Sequence, residues 1–152
     1  MIPSQITKLA EIIREYEGWY EGSNSWRCNN PGNCKYTQIY RSIYGKVRKS
    51  PRGFAIFKSK ELGWLYLQNL LWNWAEKEKR NYTILQLMRE YAPTCDDNNP
   101  EEYAKFITRR MGVSADTKLR ELIGKNVKTN YAKIFLSQIE EKKDFVVTYA
   151  QW

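Results

Sequence analysis

Residues 4–33 constrain the chain most. Ile6, Leu9, Ala10, Ile13 and Tyr16 recur at helical spacing and predict an amphipathic helix that Ser4 can cap. At about 100° per residue, Glu17 falls within about 20° of Ile6, in the middle of the apolar stripe. Glu15 faces the opposite way and Glu11 lies well off the stripe. A carboxylate turned toward a core costs desolvation energy, so it acquires a partner or a raised pKa. A carboxyl group kept protonated near neutral pH is what a general acid needs. The competing expectation is a solvated or ion-paired Glu17, because the last turn is where a helix leaves the core. Gly18 stops the helix abruptly, and Asn29-Asn30-Pro31-Gly32-Asn33 carries a turn signal flanked by amides.

The rest of the chain reads as mainly helical. Residues 20–33 are expected to be loop. Residues 34–58 hold short runs of Tyr, Ile, Val and Phe broken by Lys49-Ser50-Pro51-Arg52-Gly53. They predict a small sheet of two or three strands, with Ile39–Tyr44 open between strand and helix. Ser59 starts a long helix over 59–79, apolar on more than one face and so expected to be central. Its Trp64, Tyr66, Trp72 and Trp74 read as core. Thr83 with Gln86 is a capping-box pair for a helix ending at Tyr91, before Pro93. Asn99, Pro100 and Glu102 open the next helix, which closes at Gly112. A short helix to Gly124, a last helix from Thr129 to about Lys143, and a strand-like or back-packing Phe145–Tyr149 complete the reading. The expected architecture is α+β, mainly α: one domain over 1–152 with a small sheet inserted after the first helix.

Composition narrows the chemistry. With 152 residues, 42% hydrophobic and 28% charged, the chain can bury a real core and is not of disordered type. Its net charge of +8 favours polyanionic partners, either an anionic cell wall or nucleic acid. It has no histidine, which excludes Ser-His-Asp, Cys-His and Cys–His metal chemistry. Acid–base work then falls to carboxylates, tyrosines or lysines. Cys28 and Cys34 flank the Asn-Pro-Gly loop and would clip it in an oxidising compartment; with Cys95 they are otherwise three reduced thiols. No apolar stretch is long enough to cross a membrane, and no secretory signal is visible at the N-terminus.

Glu17-Gly18 at a helix end, then Asn29-Asn30-Pro31-Gly32-Asn33, then Gly53-Phe54-Ala55-Ile56-Phe57 before a helix, then Tyr91-Ala92-Pro93 followed by Asp97-Asn98-Asn99 and Tyr103 form an ordered set. Together they cover roughly residues 6–113. The set resembles the lysozyme-like peptidoglycan-cleaving domains of phages and bacteria, relatives of lytic transglycosylases. The resemblance implies a lysozyme-like fold, cleavage of the β-1,4 bond between N-acetylmuramic acid and N-acetylglucosamine, and Glu17 as the catalytic acid. It implies no cofactor. The Glu–Asp–Thr pattern of the best-known phage lysozymes is absent, since Trp26 and Gly32 stand at the corresponding positions.

Glycosidic cleavage needs an acid for the leaving oxygen and a means of stabilising the oxocarbenium-like centre. Glu21 and Asp97 are the candidate second carboxylates, each with a plain reading as a solvated turn or cap residue. In lytic transglycosylases the substrate's own N-acetyl group assists instead, and one Glu suffices as acid and then base. Trp19, Tyr20 and Trp26 surround the candidate acid in sequence, with Trp26 expected to bind substrate; Asn30, Asn33 and Tyr36 are expected to line one wall of a cleft, and Tyr91 the opposite wall. The expected partner is peptidoglycan, bound by a monomer without membrane insertion. The protein would be made in the cytoplasm and would reach the wall by phage delivery, lysis or another export route. Two other functions compete: a wall-binding or structural domain that does not cut, and a nucleic-acid-binding module using Lys46–Arg52 and Arg109-Arg110.

Overall fold

The computed structural model describes residues 2–92 and 98–123. Helix α1, Ser4–Tyr16, buries Ile6, Leu9, Ala10, Ile12 and Ile13. The expected Ser4 cap does not form. Pro3 occupies the cap position, and its carbonyl accepts from the Ile6 and Thr7 amides at 3.0 and 3.2 Å. At the other end Glu17 is the C-cap and Gly18 takes φ +76°. The Gly18 amide donates to Glu15 O at 3.1 Å and the Trp19 amide to Arg14 O at 3.3 Å. That double closure is a Schellman motif, which requires a left-handed residue at the position Gly18 fills.

The segment expected to be loop contains a single helical turn, α2, Asn24–Arg27, capped by Ser23. Four residues are too few for apolar periodicity to show. Two short antiparallel strands follow, β1 (Arg48–Lys49) and β2 (Ala55–Ile56), paired Arg48↔Ile56 and Lys49↔Ala55. The expected third segment contributes only the isolated bridge Lys35↔Phe54. Ile39 joins no strand, and Ser42–Tyr44 form a 3₁₀ turn.

Helix α3, Lys60–Asn73, starts where Ser59 accepts from the Leu62 amide at 3.1 Å. The helix predicted to run to Lys79 changes at Trp74 into a π turn, Trp74–Glu78. Helix α4, Ile84–Tyr91, opens on the full capping box: Gln86 N–H to Thr83 Oγ1 and Thr83 N–H to Gln86 Oε1. Helix α5, Pro100–Met111, is capped by Asn99 and ends at left-handed Gly112. Residues 119–123 are helical and join α4 through the bridge Thr83↔Lys118. The predicted helix 129–143 and the run 145–149 lie outside the described residues.

One hydrophobic cluster joins these helices. Ile6, Leu9 and Ile13 of α1 meet Leu67 and Leu71 of α3, Ile84, Leu87 and Met88 of α4, and Tyr103 and Ile107 of α5. Each fully buried large aliphatic chain contributes about 1.5–3 kcal/mol of transfer free energy. The chain is thus mainly helical with a small two-stranded sheet between α1 and α3. Among the described residues no helix is long and apolar enough to cross a membrane.

The loop before the sheet is pressed onto α3. A Cβ at Gly63 would lie 1.7 Å from Asn29 O, so only glycine lets the helix and the loop backbone meet there. This contact brings the Asn-Pro-Gly loop beside the end of α1.

Candidate functional site

Glu17 is half-buried at the end of α1, where the helical wheel aims it inward. Tyr103 of α5 donates its hydroxyl to Glu17 Oε2 at 2.7 Å, and the Asn33 side chain also hydrogen-bonds the carboxylate. Asn33 is held for this contact. It sits in the left-handed region at φ +49°, and its Oδ1 accepts from Asn24 Nδ2 at 2.9 Å, which turns its amide nitrogen toward Glu17. Burial raises the Glu17 pKa above the ordinary carboxylate value, while the bonds from Tyr103 and Asn33 pull it back. Tyr103 itself is buried and stacks on Tyr16 with ring centroids 3.8 Å apart.

The loop carrying Asn33 is fixed from within. Asn30, 1% exposed, uses every polar atom of its side chain on backbone. Its Nδ2 donates to Cys34 O and Ala55 O at 2.8 and 2.9 Å, and its Oδ1 accepts from Cys34 N at 2.9 Å. Asn29 Nδ2 donates to Phe57 O at 2.9 Å. Tyr91 donates its hydroxyl to Gly32 O, and a Cβ on Gly32 would come within 2.6 Å of that hydroxyl. The loop therefore bonds to the sheet on one side and to α4 on the other.

Glu17 opens into a cavity of about 560 Å³ between the loop-and-hairpin segment and the helices. Of the residues expected at a cleft, Glu17, Asn33 and Tyr91 line it. Four do not. Asn30 is a buried brace rather than a wall residue, because its amide is consumed by backbone. Tyr36 turns its ring to Tyr40, 5.7 Å away. Trp26 lies under the Lys60 ammonium, 3.9 Å from its ring centroid, off the cavity. Glu21 is exposed in the turn after Gly18, likewise off the cavity. Asp97 lies outside the described residues.

Several cavity residues were not anticipated. Tyr66 and Trp74, expected as core, line the cavity, the first in a ring cluster with Tyr40, Tyr44 and Phe57. Helical periodicity marks a side chain as inward-facing but does not separate core from cavity wall. Glu90 also lines the cavity and pairs with Lys79 at 2.8 Å, which holds its pKa below the ordinary value. Tyr103 belongs to the ordered set but carried no role there; a tyrosine on the buried face of α5 has a hydroxyl that needs a partner in the interior, and that signal could have found it. Cys28 and Cys34 are free thiols that face different partners, Asn24 Oδ1 at 4.0 Å and the Tyr91 hydroxyl at 3.6 Å. Burial pushes the Cys34 thiol up to about 12, so it is no nucleophile at neutral pH.

The site thus offers one carboxyl group whose pKa burial raises above the ordinary value, a neutral amide and phenol touching it, and aromatic walls. Such a set can deliver a proton to an oxygen held in the cavity and take one back. No protein-family model matches the chain, and no match was found among curated proteins or among solved structures.

Proposed function

We propose that this protein is a lysozyme-like peptidoglycan-cleaving domain in which Glu17 is the general acid and then the base. The observation that carries the reading is the Glu17 carboxyl itself, half-buried, touched by Tyr103 and Asn33, and opening into the cavity. The ordered resemblance along residues 6–113 agrees with it, as does a charge of +8 suited to an anionic wall.

In this mechanism the protonated Glu17 gives its proton to the bridging oxygen as the glycosidic bond breaks. The carbonyl oxygen of the substrate's 2-acetamido group closes on the anomeric carbon, forming an oxazolinium. Glu17, now a carboxylate, takes the proton from the sugar's 6-hydroxyl as that oxygen displaces the acetamido oxygen. The products are an ordinary end and a 1,6-anhydro end, together isomeric with the uncut strand. Tyr103 and Asn33 stabilise the carboxylate between the two proton transfers. A hydrolytic version would substitute water for the 6-hydroxyl; Glu90, kept ionised by Lys79 at the same cavity, is the carboxylate it would draw on.

Glu17→Gln is expected to leave folding and wall binding intact and to reduce cleavage by roughly 10²–10⁴-fold, the usual worth of a positioned acid. Retained cleavage would move the chemistry to another residue. No cleavage by the wild type, with binding to the wall, would make this a binding or structural domain.

A further inference from the structure

The positive charge of the chain is concentrated in one segment. Residues 22–60 hold nine of the 25 Lys and Arg and none of the 17 Asp and Glu, and outside them 16 basic residues face 17 acidic ones. The segment spans α2, the Asn-Pro-Gly loop and the hairpin. Its register sorts the side chains. Directly opposed residues of a ladder share a face, and the faces alternate along each strand. Lys49 pairs with Ala55, which is fully buried, so that face turns toward the protein, whereas Arg48 pairs with Ile56 on the outer face. The same register carried two residues past the ladder sets Lys46 across from Lys58, both exposed. The Lys58 chain lies against Gly45, where a Cβ would stand 3.7 Å from its Nζ. At the other end Arg52 is exposed in the turn, its Cζ 6.0 Å from the Phe54 ring centroid at the cavity. Among the described residues none of Lys46, Arg48, Arg52 and Lys58 forms an ion pair with a carboxylate.

We propose that this outer face of the hairpin, Lys46, Arg48 and Lys58 with Arg52 at its tip, binds a linear phosphodiester polymer carried by the bacterial wall, a chain of alditol phosphates. The proposal rests on the reading above that this protein acts on the wall. An edge strand is often guarded by a charge against pairing with other chains, but that accounts for one or two cations and not for a whole segment without an acid. Cations at every second residue stand about 6.6 Å apart along a strand, which suits a polymer with a phosphate in each short repeat of its backbone. Peptidoglycan carries its carboxylates on side peptides, so they form no such row. Lysine and arginine hold phosphate oxygens by charge-assisted bonds. Nucleic acid has the same phosphates, but single strands are held by bases stacked on aromatic rings among the cations. Here the apolar side chain beside Arg48 and Lys58 is Ile56, half-buried and no ring. The basic pair Arg109-Arg110 does not extend the face, since it lies on α5 and Arg110 is bound to Glu15 at 2.6 Å.

The test is binding at physiological salt, measured in the Glu17→Gln background so that the wall is not consumed. Three probes are compared: purified wall carrying its alditol-phosphate polymer, the same wall with the polymer removed by hydrofluoric acid, and duplex DNA at equal phosphate concentration. Intact wall should bind roughly tenfold or more tightly than stripped wall. Lys46→Gln with Arg48→Gln and Lys58→Gln should abolish that preference. Lys8→Gln with Lys105→Gln and Arg120→Gln, an equal loss of charge at exposed sites outside the segment, should keep most of it. If the first triple variant does not fold, judged by its helical circular dichroism, Arg48→Gln alone is compared with Lys105→Gln alone, and only the former should weaken binding to intact wall. Equal binding of intact and stripped wall, or equal losses from the paired variants, overturns the surface. Duplex DNA held more tightly than intact wall also overturns it and assigns the face to nucleic acid. The Glu17 reading is decided separately, by whether the wild type cuts stripped wall. Cleavage there beside any of these failures leaves that reading standing, and no cleavage beside an intact polymer preference overturns that reading alone.

Discussion

Two opposed influences act on Glu17. Burial favours its neutral form, and the bonds from Tyr103 and Asn33 favour its ionised form. Tyr103→Phe removes one of the bonds that lower the pKa, so the pKa must rise further. A general acid works while protonated, so the alkaline limb of the kcat/KM profile should move to higher pH in this variant. A Tyr103 whose role is packing alone would leave the limb where it is, since Phe preserves the stack on Tyr16. The same raised pKa makes a stability prediction. A group whose folded pKa exceeds its unfolded value supports the fold below the unfolded pKa and loses that support as pH rises through the folded one. Glu17→Gln should therefore gain stability over the wild type as pH increases, read as a widening gap in urea midpoints. A gap that narrows with pH would mean the carboxylate is better solvated in the folded protein than Tyr103 and Asn33 imply.

At the scale of elements, the loop–α3 contact holds the site together. Gly63→Ala would drive a Cβ to 1.7 Å from Asn29 O, a clash with backbone that no rotamer change relieves. It should cost about 3 kcal/mol or more by chemical denaturation, at the high end for overpacking. A loss below about 1 kcal/mol would show that the loop lifts away easily. Asn30→Ala takes the partner from the Cys34 N–H and the Ala55 carbonyl, while Cys34 O keeps the Ala55 amide at 3.0 Å, and should cost about 2–4 kcal/mol. These constraints were partly legible in the sequence. The inward aim of Glu17 and the caps at Ser59, Thr83 and Asn99 follow from local spacing, and the structure forms them. The Asn-Pro-Gly string announces a turn, but not which asparagine braces and which faces outward. That division depends on the sheet edge 25 residues away, where Ala55 O claims the Asn30 amide. The Lys60–Trp26 stack was hidden for the same reason, since its partners are 34 residues apart.

At the scale of the molecule, helices from three parts of the chain and the loop-and-hairpin segment meet at the cavity into which the Glu17 carboxyl opens. α1 supplies Glu17, α5 supplies Tyr103, α4 supplies Tyr91, and the loop supplies Asn33. The charge of +8 adds a long-range attraction to an anionic wall that should fade as salt rises. Binding to the wall should therefore weaken between low and physiological salt, whereas tight binding to duplex DNA at physiological salt would favour the nucleic-acid alternative. The most direct test of the central claim is digestion of purified peptidoglycan by the wild type and by Glu17→Gln, with products read by mass spectrometry. The account predicts wild-type fragments lighter than hydrolytic ones by one water, released roughly 10²–10⁴-fold more slowly by the variant. Fragments released equally by both proteins would contradict it.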